Sequence, residues 1–178
     1  MIVAMTGLAL LLGLVAAGCG GKAKGEAGGE GAAEAALVAF TDPVSKLSLQ
    51  YPSSWTKTSD SPLTFSGQDE FIKLEVVART ADPLAAAKAD EASVRAVTPE
   101  YRAVSTVSSK EVKGAAVLSY EWGLEKSAVT GKPVRERADR YYISLGDGRL
   151  AILTGSAPTS RFDREQVRDI ALTVKATP

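Results

Sequence analysis

The sequence predicts an α+β domain built around a central antiparallel sheet. Three observations carry that prediction: apolar residues that alternate with polar ones, turn signals that join long runs into consecutive hairpins, and two helix-start signatures. Leu47, Leu49 and Tyr51 alternate with polar neighbours, as do Ile72, Leu74 and Val76 with Lys73 and Glu75. Each run reads as a half-buried strand. The segment from Ala115 to Leu124 sets Ala116, Leu118, Tyr120, Trp122 and Leu124 on one face, and Thr130-Gly131-Lys132-Pro133 follows as a turn. Its partner from Val134 to Leu145 ends at Gly146-Asp147-Gly148, after which Leu150 to Thr154 begins. Three consecutive antiparallel strands follow from that spacing.

Asp82 as N-cap with Pro83 at the first helical position predicts a helix to about Val97, because a short acidic side chain satisfies free N–H groups and proline needs none. Leu84, Ala87, Glu91, Val94 and Val97 or Thr98 mark its inner stripe, which Glu91 interrupts. Ser160 to Asp163 reads as a capping box, with Phe162, Val167, Ile170 and Ala171 following at helical spacing. This C-terminal helix is expected to pack on the sheet.

Composition narrows the function. The chain has 178 residues, 45% of them apolar and 24% charged, which suits one globular domain with additions. Lys plus Arg and Asp plus Glu both number 21, so the long-range field of a general nucleic-acid binder is missing. No nucleic-acid partner is expected. The chain contains no histidine, which removes Ser-His-Asp and Cys-His catalysis and histidine-bound zinc. A single cysteine forms no disulfide within the chain. No acidic cluster has ligand spacing, so no metal and no cofactor is expected.

Residues 1–18 carry no charge and an apolar run from Leu8 to Val15 that passes into small residues. An apolar stretch ending in small residues is an export signal. As a helix at ~1.5 Å per residue it reaches roughly 27 Å, near the ~30 Å hydrocarbon core, so length alone does not separate a cleaved signal from a spanning anchor. Val15-Ala16-Ala17-Gly18-Cys19 resembles a bacterial lipobox, although Ala16 stands where leucine is commonest and no Lys or Arg precedes the run. The resemblance implies cleavage between Gly18 and Cys19, a diacylglyceryl group on Cys19, and a membrane held through that lipid on the non-cytoplasmic side of the cell envelope. Gly20 is not the aspartate that typically retains such proteins in the inner membrane, so the outer membrane is the expected site in a Gram-negative host. Residues 19–36 are then the lipidated cysteine and a tether of Gly, Ala, Glu and Lys. Such a composition builds no core, and as a flexible chain it spans roughly 20–25 Å. Residues 37–178 form the globular domain, long enough to bury roughly two thirds of its unfolded surface without disulfides.

Tyr51-Pro52-Ser53-Ser54-Trp55, entered from an alternating strand and followed by Lys57, resembles the tyrosine-proline-x-x-tryptophan signature of PsbP-like proteins. The resemblance extends to Tyr141-Tyr142-Ile143-Ser144 before Gly-Asp-Gly and to Leu150-Ala151-Ile152-Leu153-Thr154, over about residues 38–176. It implies an α/β/α sandwich around an antiparallel sheet, and a domain that docks on other proteins, here a cell-envelope protein, rather than an enzyme.

On their own physics, Pro52 ends its strand or lies on an edge, and a turn brings Trp55 back to the sheet. Trp55 then plugs the core or joins a recognition surface, and the same choice holds for Tyr120 and Trp122. Lys132, Arg135, Arg137, Arg140 and Arg149 gather around one hairpin among Glu136, Asp139 and Asp147, as cross-strand ion pairs or as a surface for an acidic partner. The candidate binding surface is therefore Trp55, Tyr120, Trp122, Arg135, Arg137 and Arg140. An alternative is a small-molecule or anion site on the sheet aromatics or on the 155–160 loop, where a helix N-terminus favours anions. Ser54-x-x-Lys57 matches a nucleophile pattern of penicillin-binding proteins, but their Ser-x-Asn and Lys-Thr-Gly elements are missing. No catalytic residue is expected.

Overall fold

The computed structural model describes residues 36–78, 82–126, 131 and 133–178. The expected signal segment, Gly18, Cys19, nearly all of the tether and residues 130 and 132 of the expected turn lie outside the described residues.

Strands β1 (Leu37–Asp42) and β2 (Leu47–Pro52) are joined by a turn in which Asp42 Oδ1 accepts from the Val44 N–H at 3.1 Å. With the short C-terminal strand β10 (Lys175–Ala176) they form a small sheet of order β1-β2-β10. Leu47 and Leu49 of β2 are fully buried, as their alternation requires. Pro52 is the last residue of β2, which agrees with its missing donor.

The other strands are β3 (Thr56–Asp60), β4 (Leu63–Ser66), β5 (Phe71–Ala78), β6 (Arg102–Ser108), β7 (Ala115–Lys126), β8 (Pro133–Ser144) and β9 (Arg149–Pro158). They form one antiparallel sheet of order β3-β4-β5-β9-β8-β7-β6. The expected run of β7, β8 and β9 forms three adjacent interior strands.

Helix α1 (Pro83–Val97) covers one face of β6, β7 and β8, burying Ala86 and Ala87 with Ala116, Leu118, Tyr120, Ala138, Tyr142, Leu150 and Ile152. Asp82 caps it as expected, accepting from the Leu84 and Ala85 N–H groups at 2.9 and 3.1 Å. Glu91 in the stripe accepts from the Thr106 hydroxyl at 3.0 Å, so the interruption is a hydrogen bond to β6. The stripe stops short of Val97, which is 81% exposed because the helix ends there.

The opposite face carries the larger core. Tyr141, Ile143, Ala151, Leu153, Ile72 and Leu74 of the sheet pack with β2 and with Val167, Ile170 and Ala171 of helix α2 (Arg164–Thr173). The result is α+β: among the described residues there are two antiparallel sheets and two helices, with α1 on one side of the large sheet and α2 with the small sheet on the other. The start of α2 differs from the sequence expectation. Asp163, not Ser160, is its N-cap and accepts from the Gln166 N–H at 3.0 Å.

Candidate functional site

The structure separates the residues that the sequence grouped. Trp55 is 7% exposed and belongs to the core between the sheets, where its indole N–H donates to Glu70 Oε1 at 3.1 Å. Burial pushes the Glu70 carboxyl above its ordinary value, against the pull of that hydrogen bond. Tyr120 is buried beneath α1, in a row with Tyr101 and the half-buried Trp122 at ring separations of 5.4 and 5.6 Å. These rings pack in the α1 interface.

Arg135 and Arg137 share one face of β8 and Arg140 takes the other, because the side-chain period of a strand is two residues. The three arginines therefore make no single patch. Arg135 pairs with Glu100 at 3.5 Å, and Arg137 lies over the Phe162 ring at 5.4 Å. Each keeps one buried N–H without a hydrogen-bond partner, Nη1 of Arg135 and Nε of Arg137. Arg140 donates to the Tyr142 hydroxyl at 3.0 Å and lies 3.6 Å from Glu75 on the α1 side.

The expected 155–160 loop is also different. Residues 155–158 belong to β9, with Gly155 opposite Asp139 and Ser156 opposite Ala138, so their backbone is part of the sheet. The Thr159 N–H donates to Arg135 O and the Arg161 N–H to Pro158 O. The backbone groups of the alternative anion site there are taken up by sheet and turn hydrogen bonds. Lys57 pairs with Asp60 and lies over the Phe40 ring at 5.5 Å, which engages the ammonium of the Ser-x-x-Lys match.

A different site emerges where the coverings of the sheet stop. On the α2 side, α2 packs on β8 and on the small sheet, while β6 and β7 remain open. Two rows of residues cross this face: Ser105, Ser119 and Asp139, and beside them Val107, Val117 and Tyr141. With Lys110, Glu111, Arg164, Glu165 and Arg168 they line a cleft of about 370 Å³. Asp139 is 1% exposed; its Oδ2 accepts from Arg164 Nε at 3.1 Å, while its Oδ1 has no hydrogen-bond partner. Burial, with Asp139 adding to it, pushes the Tyr141 hydroxyl up to about 12.

In the sequence Asp139 is one of several interleaved charges along β8. The missed signal is parity. Asp139 shares its side of β8 with Tyr141 and Ile143, so a charge stood at an inward position.

Neither a protein-family model nor a curated protein sequence matches the chain. Solved structures do. A crystal structure from Bacteroides thetaiotaomicron superposes with a TM-score of 0.51 at 12% identity, covering 79% of this chain and 48% of that one. The chain thus spans about half the length of that protein. Cyanobacterial PsbP (CyanoP) from Synechocystis has a TM-score of 0.50 at 15% identity, with 82% of this chain and 95% of that one covered. The Saccharomyces cerevisiae Ran-binding protein Mog1p has a TM-score of 0.49 at 10% identity, over 78% and 89% of the two chains. The likeness to CyanoP bears out the PsbP-like architecture that the tyrosine-proline-x-x-tryptophan segment implied.

Proposed function

We propose that this chain is an exported, lipid-anchored, non-catalytic binding module that docks on another protein of the cell envelope. The lipobox resemblance at Cys19 supports the anchor, and the Gly/Ala/Glu/Lys segment after it supports a spacer between lipid and domain. Two or three acyl chains hold a protein to a bilayer essentially for good, whereas one holds marginally. The domain then faces the non-cytoplasmic side, on the outer membrane in a Gram-negative host.

The observation that carries the docking reading is the open end of the sheet. Among the described residues β6 pairs with β7 on one side only, and Val104 and Val107 on it are 45% and 49% exposed. An unpaired edge beside a cleft offers main-chain groups and a side-chain pocket to an extended segment of another protein. A small ligand in the same cleft is the second reading, favoured by a volume within the usual range for such sites.

Two experiments test these readings. Metabolic labelling with a palmitate analogue is expected to mark the protein and to fail in Cys19→Ala; equal labelling of that variant refutes the anchor. A saturable thermal shift with a small-molecule library favours the second reading, and specific capture of one envelope protein without such a shift favours docking.

A further inference from the structure

The open face of β6 and β7 is ordered in rows that stop at the free edge. Residues directly opposite one another in a sheet share a face, with Cβ atoms about 4.5–5.5 Å apart, and these pairs decide which strands fit together. Running inward from β6, the rows are Arg102, Glu121 and Arg137; then Ser105, Ser119 and Asp139; then Val107, Val117 and Tyr141. The first alternates in charge, the second begins with two hydroxyls, and the third is apolar. A register shift between Ala103 and Ser105 takes up Val104, so β7 meets the three rows at every second residue.

Each row is finished inward and unfinished outward. The apolar row runs from Tyr141, 4% exposed, to Val107, 49% exposed. In the charged row Glu121 stands between two arginines. Arg137 also lies over the Phe162 ring, while Arg102 is exposed and forms no ion pair among the described residues. Glu100, two residues before it, pairs with Arg135. An acid on the outer side of Arg102 therefore has to come from an incoming strand. A second copy of β6 does not supply one, because Arg102 is the one charged residue of that strand.

We propose that the free edge of β6 takes an extended, antiparallel segment of the partner protein with the pattern apolar-x-Ser/Thr-x-acid, its carboxylate against Arg102 and its apolar residue against Val107. This is the pattern with which β7 meets the inner side of β6, as Val117-Leu118-Ser119-Tyr120-Glu121. The incoming side chains lie one strand spacing, about 4.8 Å, from those they meet. The proposal rests on the docking reading and names the chemistry of the partner.

The test uses the full chain in detergent micelles and two synthetic peptides, acetyl-Thr-Val-Thr-Thr-Thr-Glu-Thr-amide and the same peptide with glutamine for glutamate. Titration followed by backbone amide NMR reads both the affinity and the strand contacted. The glutamate peptide is expected to shift β6 amides and to bind about two- to fivefold more tightly than the glutamine peptide, the scale of one cross-strand ion pair. The preference should shrink in high salt and vanish in Arg102→Gln, a change at an exposed position. Val107→Ser should weaken both peptides alike; unchanged affinity there overturns the apolar part of the pattern. Equal affinity of the two peptides for the wild-type chain, with β6 shifted, overturns the acid and leaves docking standing. A preference that survives Arg102→Gln does the same. If neither peptide shifts β6, the edge inference is wrong, and cross-linking in cells decides separately whether the protein docks at all. Shifts at β6 that follow protein concentration without peptide place a second copy on the edge and also overturn the proposal.

Discussion

Gly155 is where α2 meets the sheet most closely. A Cβ there would lie 2.5 Å from both γ-methyl groups of Val167, closer than real Cβ atoms approach. Gly155→Ala is therefore expected to push α2 outward and destabilise the domain by about 1–3 kcal/mol, read as a lower urea midpoint. Tyr141 and Tyr142 make a second residue-scale prediction. Burial is the main cause that pushes both hydroxyls up to about 12, from an ordinary value of 10.0. Raised values in the folded state mean that the unfolded chain loses these protons first. Stability should hold below pH 10 and fall between 10 and 12, and Tyr142→Phe should flatten that fall in pH-dependent urea titrations. An alkaline limb unchanged in Tyr142→Phe would show that Tyr142 does not contribute. The strand-ending proline before Trp55 forces the chain to turn back, which leaves the core plug as one of two readings in the sequence; the structure places Trp55 in the core. Asp139 was not legible, since a list of charges along β8 does not reveal which face each one takes.

At the scale of elements, the α1 cap is the most exposed dependence. Asp82 satisfies two N–H groups of the first turn, so Asp82→Ala should destabilise by about 1 kcal/mol, while Asp82→Ser should recover most of it. Thermal melts of the two variants check this. Equal melts of Asp82→Ala and the wild type would mean that the cap is not needed. The elements legible in the sequence share one property: β2, β5, β7, β8 and α1 each present a buried face to a neighbour, and burial imposes periodicity. β1, β3 and β6 were not read because they are edge strands with mostly exposed residues, as in Thr-Lys-Thr-Ser-Asp of β3. Their positions are fixed by pairing, which leaves little mark on residue choice. The α2 boundary moved because Ser160 and Asp163 are both good caps. Asp163 wins, while the chain before it remains bound to β8 and β9 through the Thr159 and Arg161 N–H groups.

At the scale of the whole molecule, the large sheet is covered unevenly. α1 shields one face over β6 to β8, and α2 with the small sheet shields the other over β5, β9 and β8. The second face of β6 and β7 is left to a cleft with an acidic floor. The structure splits the expected binding surface: Trp55 and Tyr120 are core, Trp122 is half-buried, and Arg135, Arg137 and Arg140 have separate partners, because side chains at alternating strand positions face whichever layer packs there. Docking of an envelope protein at the β6 edge is open to site-specific photo-cross-linking in native cells. With a benzophenone amino acid at Val107, docking there predicts a discrete adduct to one envelope protein, mapped to an extended segment, and none from Lys57 on the opposite edge strand. Adducts of the same kind from both positions, or none from Val107, would contradict it.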